Sequence, residues 1–337
     1  MSLSQKIKQP PWRTIVPGCG LLLVLVSSYW FWSPGLDVRD GRHDRRQNAI
    51  WISHGWLGDD GWFTPSGKTK QLGHYRNQQT IDALAVKLRE QHITDIFPHL
   101  CPADVEGPIP AVDAEQTKKF LDEFAGFRVM PWIGGPNGGS VRYRNEKWRQ
   151  AFLGSVRRLL DAHPRFAGVH INVEPLTSGD TDFLKLLDEL KAALPPGKLL
   201  SIAAYPPPTR WQPSQDMHWS EGYFRQVARR CDQIAVMMYD TSLRVPKLYQ
   251  RLIADWTVEV LAWSEGKPVL LGVPTYDDAG VEYHHPRVEN LLNALLGIHR
   301  GLSRQPLPTN YQGVAIYCDW ETDEAEWKFF RDHFVKL

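Results

Sequence analysis

Residues 166–175 read FAGVHINVEP. Side chains alternate along a strand, so Val169, Ile171 and Val173 fall on one side and His170, Asn172 and Glu174 on the other. The first set is apolar and β-branched, as a strand packed under helices requires. The second set is polar and, in a barrel strand, faces the interior, where polar groups need bonds to one another or to a ligand. Glu174 is the last residue before Pro175, which ends the strand. The stretch therefore reads as a barrel strand carrying a reactive carboxylate at its end. The competing reading is a polar layer that satisfies itself.

Seven further runs have the same character: 49–57 (AIWISHGWL), 93–100 (ITDIFPHL), 127–135 (FRVMPWIGG), 199–208 (LLSIAAYPPP), 233–240 (QIAVMMYD), 268–276 (PVLLGVPTY) and 313–320 (GVAIYCDW). Each is short, rich in β-branched or aromatic residues, and closed by Gly, Pro or Asp. That is the pattern of strands buried on both faces of a parallel sheet. Amphipathic stretches separate them, with apolar residues at steps of three and four: Ile81, Leu84, Leu88; Trp148, Phe152, Val156, Leu159; Phe183, Leu187, Leu190, Leu194; Leu291, Leu295, Ile298; and finally Trp327 and Phe330. An open doubly wound sheet also alternates in this way. Eight strands and eight helices without a second domain predict a single (β/α)8 TIM barrel over 47–337, a fitting use of a 337-residue chain.

The N-terminal end reads differently. Residues 14–32 carry no charge, follow Lys6, Lys8 and Arg13, and close on Trp30, Phe31 and Trp32, as a membrane interface would. The expectation is a basic tail (1–13), a transmembrane signal anchor (14–32), a charged linker (33–46) and a barrel outside the cytoplasm, periplasmic or extracellular. A cleavable signal peptide ending near Val26-Ser27-Ser28, and hence secretion, is the alternative. Formal net charge is +1, which gives no footprint for nucleic acid. The chain has four Cys and no CxxC spacing, so neither a disulfide framework nor a zinc site is signalled. No cofactor or metal is expected; His284-His285, beside Glu282, reads as a solvated loop. SGKTK (66–70) lacks the preceding Gly of a phosphate loop. GGPNGG (134–139) reads as a flexible loop, and Pro206-Pro207-Pro208 as a stiff wall near Trp211.

Barrel active sites occupy the C-terminal ends of the strands. Those ends supply His170, Asn172 and Glu174; Tyr239 and Asp240; Tyr276, Asp277 and Asp278; and Tyr317, Asp319, Trp320 and Glu321. Trp132, Tyr205, His99 and His54 complete the rim. A mouth of aromatics and carboxylates suits a neutral, hydroxylated ligand with flat faces, and a chain with 14 Trp has planar surfaces to spare. A carboxylic acid packed among Trp and Tyr acquires the raised pKa that a general acid needs.

Four segments resemble the glycoside hydrolase family 18, the chitinase-like barrels. GVHINVE is similar to the strand-four signature D-G-x-D-x-D-x-E, with Gly168 and Glu174 kept and Ala167, His170 and Asn172 at the three Asp positions. AVMMYD resembles the M-x-Y-D motif, GVPTY the G-x-P-x-Y segment, and GVAIY the closing strand. The resemblance implies a substrate-assisted, retaining mechanism on an N-acetylhexosamine-containing glycan, in which Glu174 is general acid and then base. It implies that Asn172 orients the acetamide, Tyr239 bonds its carbonyl oxygen, and Asp240 and Tyr276 hold the ring. The remaining candidates for substrate contact are His170, Trp132, Tyr205, Asp277, Tyr317, Trp320 and Glu321. Asn two residues before the catalytic Glu also resembles endo-acting N-acetylglucosaminidases of another barrel family. Two alternatives stay open: a glycan-binding barrel without turnover, and a conventional retaining glycosidase with a second carboxyl about 5–5.5 Å from Glu174.

Overall fold

In the computed structural model the described residues are 12–31, 41–65, 67–209, 217–278 and 280–336. In chain order the elements are α1 (Trp12–Phe31), β1 (Asn48–Ile52), α2 (Leu72–Arg76), α3 (Gln78–Glu90), β2 (Ile93–Pro98), α4 (Ala114–Glu123), β3 (Arg128–Val129), β4 (Trp132–Pro136) and α5 (Glu146–Ala162). They continue with β5 (Gly168–Glu174), α6 (Thr181–Ala193), β6 (Leu199–Ala204), α7 (Glu221–Arg230), β7 (Gln233–Val236), α8 (Pro246–Trp263), β8 (Val269–Pro274), α9 (Leu291–Leu302), β9 (Tyr311–Tyr317) and α10 (Glu324–His333). Trp211, the tail before residue 12 and most of the expected linker lie outside the described residues.

All strand pairs are parallel, in the order β3-β2-β1-β9-β8-β7-β6-β5-β4. This TIM-like sheet of nine strands replaces the eight-stranded barrel expected from the sequence. The difference lies in FRVMPWIGG. Pro131 has no N–H to give a ladder, and the run breaks there: β3 pairs with β2, whereas β4 pairs with β5. The expected strand is thus two pieces, and a bridge from His99 to Trp132, with the Leu100 N–H donating to the Trp132 carbonyl at 2.8 Å, keeps β4 beside the end of β2 as well.

A second correction concerns the N-terminus. Residues 12–31 are helical, but no helix among the described residues is long and apolar enough to cross a membrane. The helix sequence, WRTIVPGCGLLLVLVSSYWF, interrupts its apolar residues with Arg13, Thr14, two Gly and two Ser. The transmembrane anchor and the membrane as a partner are therefore withdrawn.

The helices begin where short polar side chains cap free N–H groups. Asn77 caps α3, Asp113 α4, Asn145 α5, Asp180 α6 and Asn290 α9, and Asp323 with Glu326 forms a capping box on α10. Each helix turns its apolar stripe onto the sheet. Trp148, Phe152, Val156 and Leu159 of α5 and Phe183, Leu187 and Leu190 of α6 are all buried there. Val169, Ile171 and Val173 of β5 meet this layer from below.

The sheet interior holds a smaller apolar cluster, including Ala49, Trp51, Phe97, Met130, Trp132, Ala235, Leu270 and Ala315. A buried polar chain threads it. Trp51 Nε1–H donates to His170 Nε2 at 3.1 Å, which leaves Nδ1–H to donate to Ser201 Oγ at 2.9 Å. The Ser201 hydroxyl donates to Gln233 Oε1 at 2.7 Å. Gln233 and Gln312 both donate to Asp95, which also takes two bonds from Arg128.

Two glycines set how closely the strands around β5 approach. A Cβ on Gly168 would lie 1.9 Å from the Leu199 carbonyl oxygen. One on Gly134, at φ +125°, would lie 2.0 Å from that of Asn172. GGPNGG is accordingly not a loose loop: Gly134–Pro136 is strand, paired with Asn172–Glu174. Gly134→Ala combines strained backbone with overpacking and should destabilise the protein by more than about 2 kcal/mol. Chemical denaturation checks this, and a midpoint unchanged from wild type would contradict the close approach.

Candidate active site

Glu174 closes β5 at the mouth of the sheet, and hydrogen bonds from Asn172 and Tyr205 reach its carboxyl group. Its pKa is nonetheless raised to about 7, first by burial and then by the nearby Asp240 carboxylate, which together outweigh those bonds. Two cavities flank it. One, of 230 Å³, is walled by Tyr205, Pro206, His218 and Ser242. The other, of 210 Å³, is walled by Trp51, Trp132, Asn172, Tyr276 and Tyr317. Glu174, Met237, Tyr239, Asp240 and Tyr283 line both, so the two are chambers of one site meeting at the carboxylates.

Asn172 is buried, and its Oδ1 has no hydrogen-bond partner. Its side-chain amide has donors and an acceptor; the donor side serves Glu174, and the acceptor is left open in the chamber it lines. Trp132 Nε1, in the same chamber, is also buried without a partner. A buried acceptor and a buried donor left open within one cavity are what a bound amide-bearing ligand would satisfy.

Tyr239, Tyr276 and Tyr317 form an aromatic wall. Tyr239 stacks on Tyr317 with centroids 5.4 Å apart, and Tyr276 meets both rings edge-on. Burial holds all three phenols well above their ordinary pKa, so each keeps its O–H as a donor. The Tyr276 hydroxyl donates to Asp240. Asp240 adopts φ +60°, a backbone conformation uncommon outside Gly. The peptide bonds Glu174–Pro175 and Tyr317–Cys318 are both cis.

Other candidates lie elsewhere. His170 is fully buried beneath the floor, stacked on Phe97 at 3.9 Å, with both ring nitrogens occupied. Burial lowers its pKa to about 3, so it is a neutral support for Asn172's strand and not a contact surface for substrate. Asp277, Trp320 and Glu321 are exposed on the rim outside both chambers, where the Asp277 amide donates to Glu321. Asp319 ties β9 to β1 through the Ser53 amide at 2.8 Å. His54 and His99 pack between Trp62 and Trp132 as a stack of rings 3.8–4.0 Å apart.

Reading only strand ends misses Trp51, which sits mid-strand, and Tyr283, Met217, His218 and Ser242, which come from loops. The Y-H-H cluster at 283–285 was a signal for Tyr283; nothing local marks Met217. The reading of His284 as part of a solvated loop is also corrected. His284 is buried, stacks on Tyr276 at 4.1 Å and reaches Asp240. Among the described residues, Asp240, His284 and Glu289 place donor atoms within 4.8 Å of one another. All four cysteines are free.

A carboxylic acid held protonated near neutrality, in an aromatic mouth at the C-terminal ends of a parallel TIM-like sheet, is the kind of site glycosidases use. The comparisons give the family. The profile described as Glycosyl hydrolases family 18 matches residues 91–287, well over half of the chain, and the protein belongs to that family and is a glycoside hydrolase. Among solved structures it is similar to the spore cortex-lytic enzyme SleL of Bacillus cereus, at 10% identity and TM-score 0.55 over 86% of this chain and 74% of that one. It is also similar to a chitinase of Chromobacterium violaceum (13%, TM-score 0.53, over 86% of this chain and 99% of that one). A Rhizomucor miehei chitinase gives 12% identity and TM-score 0.55 over 85% and 99%. At these identities the likeness speaks for the fold. A search among curated proteins finds no match.

Proposed function

We propose that this protein hydrolyses a glycan containing N-acetylhexosamine, with retention and with the substrate's own acetamide as nucleophile. The observation that carries the reading is the pairing of Asn172 with Glu174. The open Oδ1 of Asn172 is an acceptor for the acetamide N–H, in the chamber that a sugar ring would fill beside the protonated Glu174.

In the first step Glu174 gives its proton to the glycosidic oxygen as the bond to the anomeric carbon breaks. The acetamide carbonyl oxygen forms the new bond to that carbon. Asn172 Oδ1 holds the acetamide N–H, and the Tyr239 hydroxyl donates to the carbonyl oxygen. In the second step the Glu174 carboxylate takes a proton from water as the water oxygen bonds to the anomeric carbon and that carbon's bond to the acetamide oxygen breaks, which opens the cyclic intermediate. Asp240, held by Tyr276, anchors ring hydroxyls. An amide at position 172 brings no negative charge to the positive intermediate, so the aromatic wall and Asp240 carry more of its stabilisation. The similar chitinases and the spore cortex-lytic enzyme support two glycan classes, chitin and the glycan of spore cortex.

The pH dependence follows from Glu174. A general acid works while protonated, so kcat/KM should be high below about 7 and fall about tenfold per pH unit above it. A pH–rate profile on a chitin oligosaccharide or a peptidoglycan fragment checks this. Activity that rises through pH 7 to a plateau would remove Glu174 from the acid's role.

A further inference from the structure

His284 lies in the loop between β8 and α9, behind the site, and the assigned mechanism does not use it. Its Nε2 is 2.9 Å from the Tyr276 carbonyl oxygen, and its Nδ1 is 3.2 Å from Asp240 Oδ1. A carbonyl oxygen only accepts, and so does an ionised carboxylate. A neutral imidazole has one N–H and one lone pair, so it could satisfy only one of these contacts and would aim its lone pair at the other oxygen. With Asp240 ionised, both nitrogens donate and the ring is an imidazolium.

A buried cation needs compensation, and the buried Glu289 carboxyl stands 3.9 Å from Nδ1. Glu289 is fully buried; its Oε2 accepts from the Thr241 amide at 2.9 Å, and its Oε1 has no partner. The groups facing the ring are Asp240 after β7, Tyr276 from its own loop and Glu289 just before α9. Tyr249 of α8 also feels Glu289, though its hydroxyl donates to the Met238 carbonyl. Burial would lower the His284 pKa, but Asp240 and Glu289 reverse the shift and raise it. Burial raises Glu289 itself to about 7.

We propose that His284 is a charged positioning residue: an imidazolium, backed by Glu289, that fixes Asp240 as an oriented anion facing Glu174. His284 and the Tyr276 hydroxyl both bond Asp240 Oδ1, which leaves Oδ2 for the site. They also hold the side chain of a residue whose backbone is left-handed, at φ +60°. The charge state of the cluster stands by itself; its consequence for catalysis rests on Glu174 being the acid.

The test begins with the wild-type protein labelled with 15N-histidine, its His284 signals assigned from their loss in His284→Gln. Both ring nitrogens of His284 should carry protons at pH 7. In the isosteric Glu289→Gln variant the ring should titrate at least one pH unit lower, a tenfold loss of proton affinity. A neutral ring at pH 7, or an Nδ1 that has lost its proton to a metal ion, overturns the proposal. Kinetics test the positioning role. His284→Gln removes a positive charge that offsets Asp240, so the alkaline limb of kcat/KM set by Glu174 should move upward by about half a unit, beyond any uniform loss. A loss equal at every pH would mark a merely structural residue and overturn the positioning role. Should His284→Gln not fold, the wild-type ring and Glu289→Gln carry the test. A doubly protonated ring in a protein that cleaves no glycan would support the cluster and sink the proposed function alone.

Discussion

Glu174→Gln is expected to lower kcat on any N-acetylhexosamine glycan the protein cleaves by about 10³-fold, with KM changed by less than about threefold. Gln keeps the shape and accepts the bond from Tyr205, so binding should survive. It has no proton to give to the leaving oxygen and no charge with which to take one from water, so both steps fail together. Removal of a carboxyl that is forced toward neutrality by burial and by Asp240 also relieves an unfavourable interaction. The variant should therefore unfold at a temperature no lower than wild type, which separates lost chemistry from lost structure. Affinity is measured by calorimetry with a chitin oligosaccharide, and turnover by product analysis. Turnover within tenfold of wild type would remove Glu174 from the proton transfers.

Asn172 should give the next largest effect. Asn172→Ala takes away both the donor to Glu174 and the open acceptor Oδ1, and kcat should fall about 10²-fold, as for loss of a group that orients the reacting centre. Asn172→Asp separates the two roles. The acceptor remains, so the acetamide is still held, but a second negative charge now stands beside Glu174. Like charges disfavour ionisation, so the pKa of Glu174 rises above its value of about 7. The acid then stays protonated to higher pH, and the alkaline limb of kcat/KM moves upward. An alkaline limb that stays in place, or moves downward, would contradict the contact between these two side chains.

The fold was legible where periodicity was strong. The runs from 49 to 320 and the stripes on α5, α6 and α9 follow directly from burial, because a strand covered on both faces and a helix covered on one leave unmistakable patterns. What escaped was local. Pro131 splits one strand because a single missing N–H interrupts a ladder, and apolar content does not register that. The segment before residue 33 reads as a membrane span by its lack of charge and its flanking aromatics, but no helix among the described residues is long and apolar enough to cross a membrane.

The site divides in the same way. Glu174, Asn172, Tyr239, Asp240, Tyr276, Tyr317, Trp132 and Tyr205 converge because strand ends converge in this architecture. His170 was legible as inward-facing, but whether an inward polar group is free or satisfied depends on Trp51 and Ser201, distant in sequence. His284 was read as solvated because a His-His pair in a polar loop gives no sign that Asp240 and Glu289 fold over it. The replacements at the family's Asp positions also become intelligible. Position 170 is neutral and structural, and position 172 retains an acceptor without a charge.

The central claim is that the acetamide of the substrate attacks the anomeric carbon while Glu174 supplies the proton. It is tested most directly by kcat/KM for aryl N-acetyl-β-glucosaminides whose acetamide carries zero, one, two or three fluorine atoms. Fluorine withdraws electrons from the carbonyl oxygen without changing the leaving group. The account predicts a steep fall in rate with each fluorine added, at unchanged dependence on Glu174. Rates that stay level across the series would contradict it and place the nucleophile on the protein.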